Sequence, residues 1–124
     1  MNKIILSALS HTWLIDLDGT VVVHNSHLTG SDQLLPGIQE FWKNIPDNDR
    51  IIILTSRSSS FSKTTISFLR AYSLRFDHII FDLPHGERIL INDTKPSGLQ
   101  TAFALNLKRD SGMSNFTLMT NEDL

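Results

Sequence analysis

Two carboxylates, Asp16 and Asp18, stand two residues apart where an apolar run stops, and Gly19 and Thr20 follow at once. Carboxylates are costly to bury alone, so the pair predicts that something positive shares their space. Two or three oxygen ligands at such spacing suit Mg²⁺, which keeps several waters and bridges to phosphate oxygens. A carboxylate screened in this way can attack phosphorus, provided that it lies in line and the phosphoryl charge is neutralised. In that chemistry Asp16 attacks. The turn after Leu17 splays Asp18 toward the leaving group, where it acts as acid and then as base on the hydrolytic water.

The elements that must position this pair are legible as alternating strands and helices. Residues 12–17 read as a buried central strand that opens at its carboxyl end into a site. Residues 21–31, with Thr29-Gly30, read as a small hairpin or flap carrying His24 and His27 as exposed histidines. Leu35-Pro36-Gly37 opens a helix whose stripe of Ile38, Phe41, Trp42 and Ile45 is core, and Pro46 stops it. A second strand over residues 50–54 ends at Thr55-Ser56-Arg57. Ser58 to Ser60 then cap a helix over residues 61–72. Residues 78–82 give a third strand and 88–91 a fourth, and 101–107 read as a fifth strand ahead of a short helix as the alternative. An edge strand is expected around residues 116–119, in a polar tail spanning about 108–124.

Strand, turn and helix in alternation predict a mostly parallel sheet with right-handed crossovers. The carboxyl ends of such strands converge on one rim, where ligands sit. That rim collects Asp16 and Asp18, Thr55 and Ser56, His85, then Asp93 and Lys95. Thr55 and a Lys or Arg would hold the phosphate oxygens and absorb developing charge.

Composition narrows the classes. The 124 residues suit one domain, and 40% hydrophobic content excludes a disordered chain. A formal charge of −2 argues against a nucleic-acid binder. With no cysteine there is no disulfide, thiolate metal site or Cys nucleophile, which fits a cytoplasmic location. Lys3 and the short apolar run after it, broken by Ser7 and Ser10, read as a strand or short helix ahead of the main sheet rather than a cleaved leader. No stretch reaches the ~18 apolar residues of a membrane span, so no membrane partner is expected.

Asp16-Leu17-Asp18-Gly19-Thr20 resembles the first motif of the haloacid dehalogenase superfamily of phosphohydrolases. Leu54-Thr55 resembles its second motif, and Ile91-Asn92-Asp93 its fourth, acidic one. The resemblance implies a Rossmann-like three-layer α/β domain. It makes Asp16 the nucleophile of an aspartyl-phosphate, Asp18 the general acid/base and Thr55 a phosphoryl contact. Mg²⁺ would be held by Asp16, the Asp18 carbonyl and Asp93. An Asp at position 18 favours a phosphatase over a dehalogenase. The third-motif cation has three candidates, Lys95, Arg88 and Lys63, and Lys95 is favoured because it shares the rim. Asn92 stands where a second acid is frequent and is expected on a metal-bound water. Thr20, Arg57, His85 and Arg88 are further contacts to substrate or to the catalytic groups. Short intervals after Asp18 and Thr55 leave no room for a cap domain, which implies the capless branch and an oligomer, plausibly a tetramer. Residues 83–99 also resemble phosphatases associated with capsular polysaccharide biosynthesis, which implies a sugar phosphate or glycosyl precursor as substrate.

Two other classes compete. A receiver domain is an α/β domain of this size with acids, a Thr and a Lys around Mg²⁺, but its phosphorylated Asp follows the third strand. A nucleotide or polynucleotide phosphate is the alternative substrate class within the same superfamily. A calcium loop fails, because Gly19 comes too early and the closing Glu is missing.

Overall fold

The computed structural model describes residues 2–124. In chain order its elements are β1 (Asn2–Leu6), β2 (Thr12–Asp16), α1 (Ser26–Thr29), α2 (Ile38–Lys43), β3 (Arg50–Leu54), a 3₁₀ turn (Ser59–Phe61) running into α3 (Ser62–Ala71), β4 (His78–Ile80) and β5 (Phe116–Thr120). The apolar run of β2 and the Ile-rich run of β3 form a three-stranded parallel sheet with β4, in the order β2-β3-β4, so β2, expected to be buried and central, is instead a partly exposed edge strand and β3 is the middle one. Parallel neighbours need a crossover between them, and α2 and α3 supply the two. A second, two-stranded parallel sheet joins β1 to β5.

Register explains which side of the larger sheet is dry. Trp13 lies beside Ile51, and Ile15 beside Ile53 and Ile79, so these share one face. Ile51 and Ile53 are fully buried in one cluster with Ile38, Phe41, Trp42 and Ile45 from the α2 region and Leu69 from α3. Trp13 meets Phe41 edge-on at 5.7 Å between ring centroids. The mirror face carries Leu14, Ile52, Leu54 and Ile80, and Leu14 and Ile80 are 47% and 45% exposed. The architecture is mixed α/β, with parallel strands in two small sheets. No helix among the described residues is long and apolar enough to cross a membrane.

Several expected elements differ. Residues 88–91 and 101–107 form neither strand nor helix, and Ile89 and Ile91 are 83% and 87% exposed. Their β-branched character fits a strand, but a strand exists only with a ladder partner, and neither β2 nor β4 pairs with them. The third strand stops at Ile80 because Asp82 takes φ 61°, which ends extended backbone. The expected flap is anchored in the core. Val21 and Val22 are fully buried, and Val22 bridges to both Asp18 and Leu34. The tail is not loose either, since Met113 is buried and Phe116–Thr120 forms the strand expected near its end. Gly37 makes this closure possible. It has φ +77°, and a Cβ there would lie 2.4 Å from the Ser114 backbone nitrogen.

One buried carboxylate pins the start of β2. Asp49, with a side chain 1% exposed, accepts hydrogen bonds from the His11 backbone N–H at 2.9 Å and the Trp13 indole at 2.9 Å, and contacts His11 Nδ1 at 2.8 Å. Burial pushes its carboxyl upward, but hydrogen bonds from Trp13 and His11 outweigh that and hold it below the usual carboxylate range. A group depressed on folding contributes stability above its unfolded pKa of about 4, and the contribution drains as pH falls through the lower folded value. Asp49→Ala is expected to destabilise the protein by about 2–4 kcal/mol at pH 7 in urea unfolding, through the stranded donors. Asp49→Asn should lose less stability than the wild type on acidification below pH ~4.

Candidate functional site

The parallel register brings the carboxyl ends of β2, β3 and β4 to one rim, with Asp16, Leu54 and Ile80 level across it. Leu17 then enters the core, 1% exposed, and its carbonyl accepts from the N–H groups of Thr20, Val21 and Val22. This tight turn separates the two acids. Asp16 stays at the rim, 37% exposed. One of its oxygens accepts from the Thr20 hydroxyl at 3.0 Å, and the other from Arg88 Nη1 at 2.6 Å.

Asp18 points the other way, into a buried charge cluster. Arg57, its side chain 1% exposed, donates from Nε at 3.0 Å and from Nη2 at 2.8 Å to the two Asp18 oxygens. The same guanidinium grips both oxygens of Asp32, at 2.9 and 2.7 Å, and the Thr65 hydroxyl at 3.0 Å. Its five N–H groups are thereby all engaged. Burial opposes the Arg57 charge, yet the bonds to Asp32 and Asp18 prevail and raise it further above its usual range. Burial likewise pushes Asp32 up, and hydrogen bonds from Arg57 and Ser26 overcome that and lower it. His27 lies 3.7 Å from Asp18 with its own side chain 9% exposed. Burial first, and the nearby Arg57 charge second, lower its pKa. The His24 and His27 Nδ1 atoms are buried with no hydrogen-bond partner among the described residues, so these are not the exposed flap histidines of the sequence reading.

The other expected residues separate into two groups. Thr55 is 1% exposed, and its hydroxyl accepts from the Arg57 N–H at 3.0 Å, so it braces the turn from below. Ser56 donates to the Pro84 carbonyl at 3.3 Å. His85, Asn92, Asp93 and Lys95 lie on the exposed stretch that replaces the fourth strand. There the Asn92 amide donates to the Thr101 carbonyl at 3.3 Å, the Thr101 hydroxyl donates to the Asp93 carbonyl, and the Lys95 N–H donates to the Leu99 carbonyl. Among the described residues, no hydrogen bond or ion pair joins the side chains of Asp93, Lys95 or Lys63 to Asp16 or Asp18. Of the three candidate cations, Arg88 is the one that touches the rim.

The Mg²⁺ ligand set of Asp16, Asp18 and Asp93 is therefore not assembled. Among the described residues, no three His or acidic side chains gather closely enough to hold a metal ion. Each of the two paired acids faces an arginine instead. Sequence reasoning missed Asp32, which has no periodic or motif signal and reaches Arg57 from 25 residues away. It also missed the loop at Arg109 and Asp110, considered below.

No family model, curated protein or solved structure matches the chain.

Removing Arg57 leaves two carboxylates facing each other with little water to screen them. Arg57→Ala is expected to destabilise the fold by about 3–5 kcal/mol in urea unfolding. Adding Asp32→Asn to Arg57→Ala should recover part of that loss, which a double-mutant cycle measures.

Proposed function

We propose that this chain is a phosphomonoester hydrolase with Asp16 as its nucleophile, acting on a sugar phosphate or glycan precursor of surface polysaccharide synthesis in the cytoplasm. The observation that carries the reading is the state of Asp16. It is a half-exposed carboxylate at the carboxyl end of a parallel strand, oriented by Thr20 and paired with a cation that a phosphate dianion would attract. Ligands of open α/β sheets gather at that end. The Rossmann-like three-layer fold of the resembling superfamily, its open capless site and closure of that site by a second copy belong to the same proposal.

In this reading an Asp16 oxygen forms a bond to phosphorus as the ester P–O bond breaks, and Asp18, once released from Arg57 and protonated, gives the departing alkoxide its proton. Asp18 then takes a proton from water, the water oxygen bonds to phosphorus, and the bond to Asp16 breaks to release inorganic phosphate. Arg88 neutralises charge on the phosphoryl oxygens and takes the part that sequence reasoning favoured for Lys95. Arg57 fixes the Asp18 carboxylate two residues beyond the nucleophile. Mg²⁺ enters through the resemblance alone. Asp93 follows Arg88 by five residues, a reach of at most about 18 Å of extended chain.

The test is turnover of p-nitrophenyl phosphate with and without Mg²⁺. Asp16→Asn is expected to lower kcat at least a thousandfold, and Arg88→Ala to lower kcat/KM by about 10²–10³, more than Lys95→Ala does. Stable phosphorylation of Asp16 without release of phosphate would overturn the hydrolase and favour the receiver-like alternative.

A further inference from the structure

We propose that Arg109 reads a second negative charge on the substrate, in addition to the phosphate that is cleaved. This rests on the phosphohydrolase reading of Asp16. Two hydrogen bonds fasten the loop that carries Arg109 to the turn after Asp18. The Asp110 N–H donates to the Gly19 carbonyl at 2.8 Å, and the Asp110 carboxylate accepts from the His24 N–H at 2.9 Å. The Arg109 side chain lies along Gly19. A Cβ on that glycine would sit 3.1 Å from Arg109 Cγ and 3.8 Å from Nε, and Gly19 has φ +82°. The glycine thus makes room for the arginine beside the catalytic turn.

Cation accounting supplies the second step. Arg57 has its five donors engaged with Asp18, Asp32 and Thr65. Arg88 is engaged with Asp16. Among the described residues, the Arg109 guanidinium makes no hydrogen bond or ion pair, although its backbone is held in place. A planar fork of donors beside Gly19, three residues after Asp16, suits a carboxylate or a second phosphate on the same molecule. The substrate class is therefore a phosphate monoester with one further anionic group.

Three compounds sharing one ring test this: glucose 1-phosphate, glucuronate 1-phosphate and glucose 1,6-bisphosphate. Wild type is expected to prefer one charged member over glucose 1-phosphate by roughly tenfold or more in kcat/KM. Arg109→Gln should abolish that ratio and Arg109→Lys retain part of it. The pair showing the preference distinguishes carboxylate from phosphate. Calorimetric titration of the same compounds into wild type and Arg109→Gln reads binding without turnover. Binding that weakens about tenfold in Arg109→Gln with no hydrolysis sustains Arg109 and sinks the hydrolase. Hydrolysis with the same ratios in wild type and Arg109→Gln overturns the Arg109 assignment alone. Neither hydrolysis nor Arg109-dependent binding overturns both.

Discussion

A single guanidinium ties together four parts of the chain that are remote in sequence. Arg57 extends from the turn after β3 and joins the Asp18 turn, the Asp32 loop and the Thr65 position on α3. Desolvating an arginine and two carboxylates is expensive, and a well-packed apolar trio of similar volume would be about as stable. What such a trio would lack is direction. A planar fork with five fixed donors admits few arrangements of its partners, so the cluster sets where the Asp18 turn lies relative to β3. The short β4 is positioned through the same residue, because the Arg57 carbonyl accepts from the Asp82 N–H.

That constraint divides labour between the two acids. Asp18 is enclosed and held by a cation that has no donor left over. Asp16, two residues earlier, remains at the rim with a partner on an irregular stretch, and its exposed pair with Arg88 is screened by solvent and salt. A pair of that kind exchanges partners readily when a more strongly charged anion arrives. At the rim, therefore, Arg88 is the arginine in contact with the accessible carboxylate, while Arg57 is saturated in the buried cluster.

The parts legible in the sequence are those whose information is local. The apolar runs of β2 and β3 announce themselves as strands, although β2 lies at the sheet edge with none of its residues fully buried; the Ile38-Phe41-Trp42-Ile45 spacing announces α2, and Ser58 caps the 3₁₀ turn ahead of α3, where the sequence placed the cap on the helix itself. Val21 and Val22 were obscured because a run of three valines, residues 21–23, beside a polar stretch matches no period, so a core anchor read as a flap. The Arg57 cluster was hidden for a different reason. Asp18 and Asp32 lie 39 and 25 residues from it, and no pattern in residue type encodes which arginine a buried carboxylate meets. Arg109 is hidden in the same way, because it reaches the site through backbone bonds made by its neighbour Asp110.

The failure at residues 88–91 says most about what the rest depends on. Arg88-Ile89-Leu90-Ile91 has the composition of a strand, and both β2 and β4 leave one side of the three-stranded sheet unpaired. Burying an aliphatic side chain of this size is worth about 1.5–3 kcal/mol, while ordering each backbone residue costs about 1–2 kcal/mol. Pairing such a run at a sheet edge is therefore close to balanced, and here it is not made. The position of Asp93 follows from the same balance, because it is the residue that a strand ending at Ile91 would carry to its carboxyl end.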